Sequence, residues 1–182
     1  MNHSTIRKLQ KIIKQGHVPN RGLEPYIKTY ALANCFEHAC FNLSNLQLKY
    51  GHIKECDTYD FSHFHSPEKD ETFEKFANYL KETGLNIEKC SKNKILKSNQ
   101  WIIALYFEPL YPVCKDYHFL LKEKDGTWSG KVGFSKNIET FENLPKEMDN
   151  NCFYELYDTF CITNPYAKED NIKNKNELVL NL

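Results

Sequence analysis

Trp101-Ile102-Ile103-Ala104-Leu105-Tyr106-Phe107, then Asp116-Tyr117-His118-Phe119-Leu120-Leu121-Lys122, then Thr127-Trp128-Ser129-Gly130-Lys131-Val132-Gly133 are the stretches whose reading decides the fold. The first is an unbroken apolar run of strand length, stopped by Pro109 and Pro112, and reads as a buried central strand. The second alternates, with Tyr117, Phe119 and Leu121 on one side and His118 and Leu120 on the other. Between the second and third, Asp125-Gly126 is a two-residue hairpin signal. The expectation is three adjacent antiparallel strands over 101–107, 116–122 and 127–133.

Upstream the period changes from two to that of a helix. Ile6, Leu9, Ile12 and Ile13 are helically spaced, and Gly16 and Pro19 stop the run. A second helix is expected from about Asn34, with Phe36, Ala39, Cys40, Leu43 and Leu46 on one face and Asn34 as N-cap. A third carries Phe73, Phe76, Ala77 and Leu80 and stops at Gly84. Residues 17–33 and 50–69 read as irregular chain. Phe141 and Leu144 suggest a short helix or loop, and 153–162 a strand pair or a strand plus turn. Helices first and strands after make an α+β layout, N-terminal helices packed on a C-terminal antiparallel sheet. The division expected is one domain over 1–166 and a polar, poorly ordered tail over 167–182.

The chain of 182 residues is 41% apolar and 14% aromatic, enough for one packed core without disulfides or metals. Its 24 basic and 24 acidic residues balance, which argues against a nucleic-acid binder working by phosphate neutralisation and leaves a protein or peptide substrate open. Seven cysteines, an odd number with no CxxC pair, read as reduced thiols. The opening MNHSTIRKLQKIIKQ has no apolar stretch of signal-peptide kind, and no segment has the roughly 18 apolar residues of a membrane span. The expected location is the cytoplasm, or outside it by a route without a cleavable signal, as for an effector delivered into a host cell.

Catalysis by a cysteine needs a stabilised thiolate and a base within reach. Cys35, in the first turn of the second helix, would have the free N–H groups and positive end of that helix. Those N–H groups could also hold an oxyanion. His118, from the second strand, is the candidate base. The bland alternative is a buried cysteine at a helix start and a structural strand histidine, in a non-catalytic binding module. A further rival is zinc, with Cys35 and His38 at helical spacing and His63 and His65 added, although nothing in the sequence fixes their distances and His38 reads more simply as a half-exposed helix residue.

Two boxes sharpen the choice. Asn34-Cys35-Phe36 with Ala39 and Asn42 resembles the NC[YF]xxAxxN box of a papain-like group of cysteine-peptidase-like proteins. Asp116-Tyr117-His118-Phe119 followed by Asp125-Gly126-Thr127-Trp128-Ser129 and Lys131 resembles that group's DYHF…DGxWSxKxG box. Trp101 to Tyr106 resembles the strand before it, and Ile162-Thr163-Asn164-Pro165 a closing element. The resemblance implies a papain-like thiol hydrolase or acyl-transfer enzyme acting on an amide without a cofactor or metal, Cys35 the nucleophile and His118 the base. The reaction could be peptide cleavage, deamidation or transglutamination. Where the group often reads WSHKPG, this chain reads Trp128-Ser129-Gly130-Lys131-Val132-Gly133. The third catalytic residue therefore stays open: Asn164 first, to orient the imidazole, then Ser129, then Asp116 on the face of His118. Asn34, Trp128 and Ser129, members of the same boxes, are the candidate binding residues.

Overall fold

The computed structural model describes residues 3–19, 34–41, 66–110, 116–131, 138–149 and 153–168. Among the described residues three helices precede the strands: α1 (His3–Lys14), α2 (Cys35–Phe41) and α3 (Lys69–Thr83). The strands are β1 (Asn86–Lys89), β2 (Gln100–Phe107), β3 (Tyr117–Lys122), β4 (Trp128–Lys131), β5 (Ile138–Phe141), β6 (Glu147–Asp149) and β7 (Phe153–Thr163). They form one antiparallel seven-stranded sheet in the order β1-β7-β2-β3-β4-β5, with β6 also paired to β7. The α+β layout expected from the periodicities is the one observed.

Local chemistry explains the helix limits. Gly16 and Gly84 have φ of 83° and 99°, in the left-handed region that glycine enters without a Cβ penalty. At Gly84 the N–H turns back to the Leu80 and Lys81 carbonyls and closes α3. At the start of α2, Asn34 Oδ1 accepts the Glu37 N–H at 2.9 Å and Glu37 Oε2 accepts the Asn34 N–H at 3.0 Å. This reciprocal capping box satisfies two backbone donors that the helix leaves over, and such caps contribute ~1 kcal/mol.

The sheet divides the core in two. Trp101, Ile103, Leu105 and Phe107 of β2 and Tyr117, Phe119 and Leu121 of β3 meet the helices. Ile102, Ala104, Tyr106 and Leu120 point the other way, to Trp128, Leu144, Met148 and Tyr154. β2 is therefore buried on both faces, which is why its sequence lacks the polar alternation of a half-solvated strand. On the helix side Phe36 is the hub, its ring 5.2 Å from Phe76, 5.3 Å from Phe119 and 5.8 Å from Tyr79.

Four details differ from the sequence reading. The β3–β4 connection has three residues, not two: Glu123 N–H bonds the Thr127 carbonyl across Lys124-Asp125-Gly126, and Gly126 takes φ 93°. The Asp125 carboxylate accepts the Thr127 N–H at 2.9 Å, drawing it into the turn and out of the ladder. Phe141 lies in strand β5 rather than in a helix or loop, paired with Trp128. β7 runs unbroken for 11 residues, with a register shift opposite Leu105/Tyr106 in place of the expected turn. β1 was not anticipated, because exposed Asn86, Glu88 and Lys89 carry no strand pattern. Leu43, Leu46, residues 20–33, 50–65 and 132–133, and nearly all of the tail lie outside the described residues.

Candidate active site

Cys35 opens α2, and all seven residues of that helix are buried. Its thiol is 7% exposed, packed in the helix-side core beside the Phe119 backbone of β3. Burial pushes the thiol up to about 12 from an ordinary 9.0. N–H donation from Phe119, Phe36 and Cys35 itself pulls the other way and loses, and the Asp116 charge adds to the rise. The expectation of a lowered thiol pKa is thus reversed. One short helix start does not offset removing the thiolate from water.

His118 follows the alternation of β3. Its neighbours Tyr117 and Phe119 face the helices, whereas its ring stands 5.6 Å from that of Tyr154 on the opposite side of the sheet. Its Nε2 hangs over Gly130, where an added Cβ would come within 3.0 Å. Burial lowers this imidazole from 6.5 to about 4, against the opposing pull of Asp116. Asp116 is held by the Tyr154 hydroxyl, which donates to Oδ2 at 2.7 Å, and by the Tyr117 N–H on Oδ1 at 2.8 Å. Cys35 and His118 both feel this carboxylate. Among the described residues no hydrogen bond joins their side chains.

No family model, curated protein or solved structure matches the chain.

Asn164 sits elsewhere. It follows Thr163, which pairs with Gln100 at the start of β2, whereas His118 pairs with Tyr106 near its end. Those β2 positions are ~20 Å apart along a strand. Its amide donates to the Ile13 and His17 carbonyls at 3.0 and 2.6 Å, and its Oδ1 accepts the Tyr166 N–H. In this structure Asn164, the first choice for a third catalytic residue, clamps the end of α1. Asn34 is the α2 cap, and Trp128 is buried on the far face under the Lys122 ammonium, 5.9 Å from its ring.

Ser129 has a histidine, but not the expected one. Its Oγ lies 2.9 Å from His38 Nε2 and donates to Glu123 Oε1, on the helix side of the sheet. His38 is therefore no half-exposed helix residue: it is fully buried, and burial lowers it to about 3, helped by the Lys131 and His118 charges. Lys131, one strand period beyond Ser129, is 1% exposed and held near 8, lowered by burial and raised by Cys35 and Glu37. Sequence reasoning missed this group. The available signal was the pair Glu37-His38 inside the otherwise apolar CFEHACF, together with Ser129 and Lys131 sharing a strand face. Of the rival metal set, His63 and His65 lie outside the described residues, and Cys35 and His38 have separate partners. Among the described residues no three or more of His, Cys, Asp and Glu could hold a metal ion. No helix among them is long and apolar enough to cross a membrane.

Proposed function

We propose that the chain is a papain-like thiol hydrolase or acyl-transfer enzyme acting on an amide, with Cys35 as nucleophile and His118 as base. The observation that carries this reading is Cys35 as first residue of α2, packed against β3, the strand of His118. With the thiol pushed up and the imidazole pulled down, the resting pair is neutral. Deprotonation then accompanies attack instead of preceding it. The sulfur bonds the carbonyl carbon, its proton passes to the imidazole and on to the leaving nitrogen, and the C–N bond breaks to leave a thioester. Water or a second amine releases the acyl group. The step requires the His118 ring within about 3–4 Å of the sulfur, so the imidazole must leave its place beside Tyr154 and turn toward the layer that holds Cys35.

A second reading, a non-catalytic protein-binding module, is favoured by one observation: the buried thiol and the imidazole share no hydrogen bond. The two readings order the cysteines oppositely. Cys90 is only partly buried and is pushed up to about 11, less than Cys35, so burial alone makes Cys90 the faster thiol. Iodoacetamide labelling at pH 6.5 with mass-spectrometric mapping decides. An enzyme labels at Cys35 first and loses that lead in His118→Ala. Labelling of Cys35 no faster than Cys90 leaves the binding module.

A further inference from the structure

The geometry points to Lys131 as the charge partner of the Cys35 sulfur, a buried amine on the helix side of the sheet whose charged form balances the Glu37 carboxylate and the charge that the sulfur gains as it loses its proton. The inference rests on the reading of Cys35 as a nucleophile and supplies the cationic partner that reading lacks.

Three observations place Lys131 there. β3 and β4 pair Lys122 with Trp128, Leu121 with Ser129 and Leu120 with Gly130. Continuing that register by one residue sets Lys131 opposite Phe119, whose backbone lies against the Cys35 sulfur. Face parity agrees: Ser129 reaches His38 of α2, and Trp128 belongs to the opposite layer, so Lys131 projects toward α2. The side chain is 1% exposed although lysine is almost never fully buried without a purpose for its charge.

Its surroundings are chemically matched. From α2 it meets Cys35 and Glu37, both of which favour its charged form, and its own charge disfavours protonation of His38. Ser129 and Glu123 lie along the strand beyond His38. Asp116 acts on the thiol from the start of β3 and opposes its ionisation. Among these groups Lys131 is the basic side chain that the strands present on the thiol's side, since His118 stands with Tyr154 on the other. A neighbouring opposite charge shifts a titration by about 1–3 pH units.

The experiment is the pH profile of Cys35 alkylation by iodoacetamide, in which the thiolate displaces iodide and one proton is released to buffer. Lys131→Met keeps length and removes charge; Lys131→Arg keeps charge. The expected result is a Cys35 rate at pH 7.5 roughly tenfold lower in Lys131→Met, with Lys131→Arg near wild type and Cys90 unchanged in both. Equal Cys35 profiles in wild type and Lys131→Met overturn the assignment, even where Cys35 outpaces Cys90 and the hydrolase reading stands. A Cys35 slower than Cys90 in wild type ends the hydrolase reading instead, and the shift between variants still judges the pairing. Coupling is reciprocal, which gives a check free of Lys131 substitution: Cys35→Ser should lower the amine's own titration, read by NMR of the Lys131 side chain. An unmoved amine overturns the pairing as well.

Discussion

Mild acid should destabilise this protein, and two buried histidines set how much. His38 and His118 are held near 3 and 4 when folded, against 6.5 for an ordinary imidazole. Both folded values lie below the unfolded one, so the unfolded chain binds the protons. The stability concerned is full above pH 6.5 and drains as pH falls toward 4. At pH 5 the unfolded imidazoles are nearly all charged and the folded ones nearly all neutral, a difference of about 2 kcal/mol per histidine. Between pH 7 and pH 5 the pair should remove about 4 kcal/mol, a large part of the 5–15 kcal/mol typical of a domain. Urea denaturation at pH 7, 6 and 5, followed by fluorescence of buried Trp101 and Trp128, measures it. His118→Gln should lose about 2 kcal/mol of that pH dependence whatever its stability at pH 7. Identical pH slopes in wild type and His118→Gln would refute the neutral, buried imidazole.

Gly130→Ala places a methyl 2.4 Å from Leu120 Cδ2 and 3.0 Å from His118 Nε2. It should cost about 1–3 kcal/mol in chemical denaturation and shift the His118 imidazole resonances by NMR. Asn164→Ala strips a donor from the Ile13 and His17 carbonyls. A loss of about 2 kcal/mol is expected, with the Cys35 labelling profile unchanged; a changed profile would return Asn164 to the site. Ser129→Ala leaves Glu123 and His38 without their bridging hydroxyl and should destabilise by about 1–3 kcal/mol, a loss that Ser129→Thr partly restores where the added methyl fits.

The parts legible from sequence were those governed by local pattern. Trp101 to Phe107 had to be buried on both faces, and Tyr117, Phe119 and Leu121 had to share one, because side-chain period in a strand is fixed. Gly84 and Asn34 marked helix limits by backbone chemistry alone. Alternation also placed His118 opposite its aromatic neighbours; which layer α2 would cover was a matter of tertiary packing, and that packing put Cys35 on the aromatic side. Thr163-Asn164 resembled a site element by composition, but strand register, invisible in one sequence, carries it to the other end of β2. His38 was misjudged as half-exposed because α2 has no solvent face: helix-side aromatics cover one flank and β4 the other.

The Asn164 clamp has a consequence for how the chain is made. It joins the end of the first helix to a residue 151 positions later. A ribosome adding about 5–20 residues per second leaves α1 waiting roughly 8–30 s before the strand that holds it has emerged. Over that interval the apolar stripe Ile6, Leu9, Ile12 and Ile13 lacks the tie from Asn164, and its first cover is α3, the helix it packs against. Moving α1 by circular permutation to follow Tyr166 would turn this 151-residue tie into a local one, and the permuted chain should refold faster than the natural order.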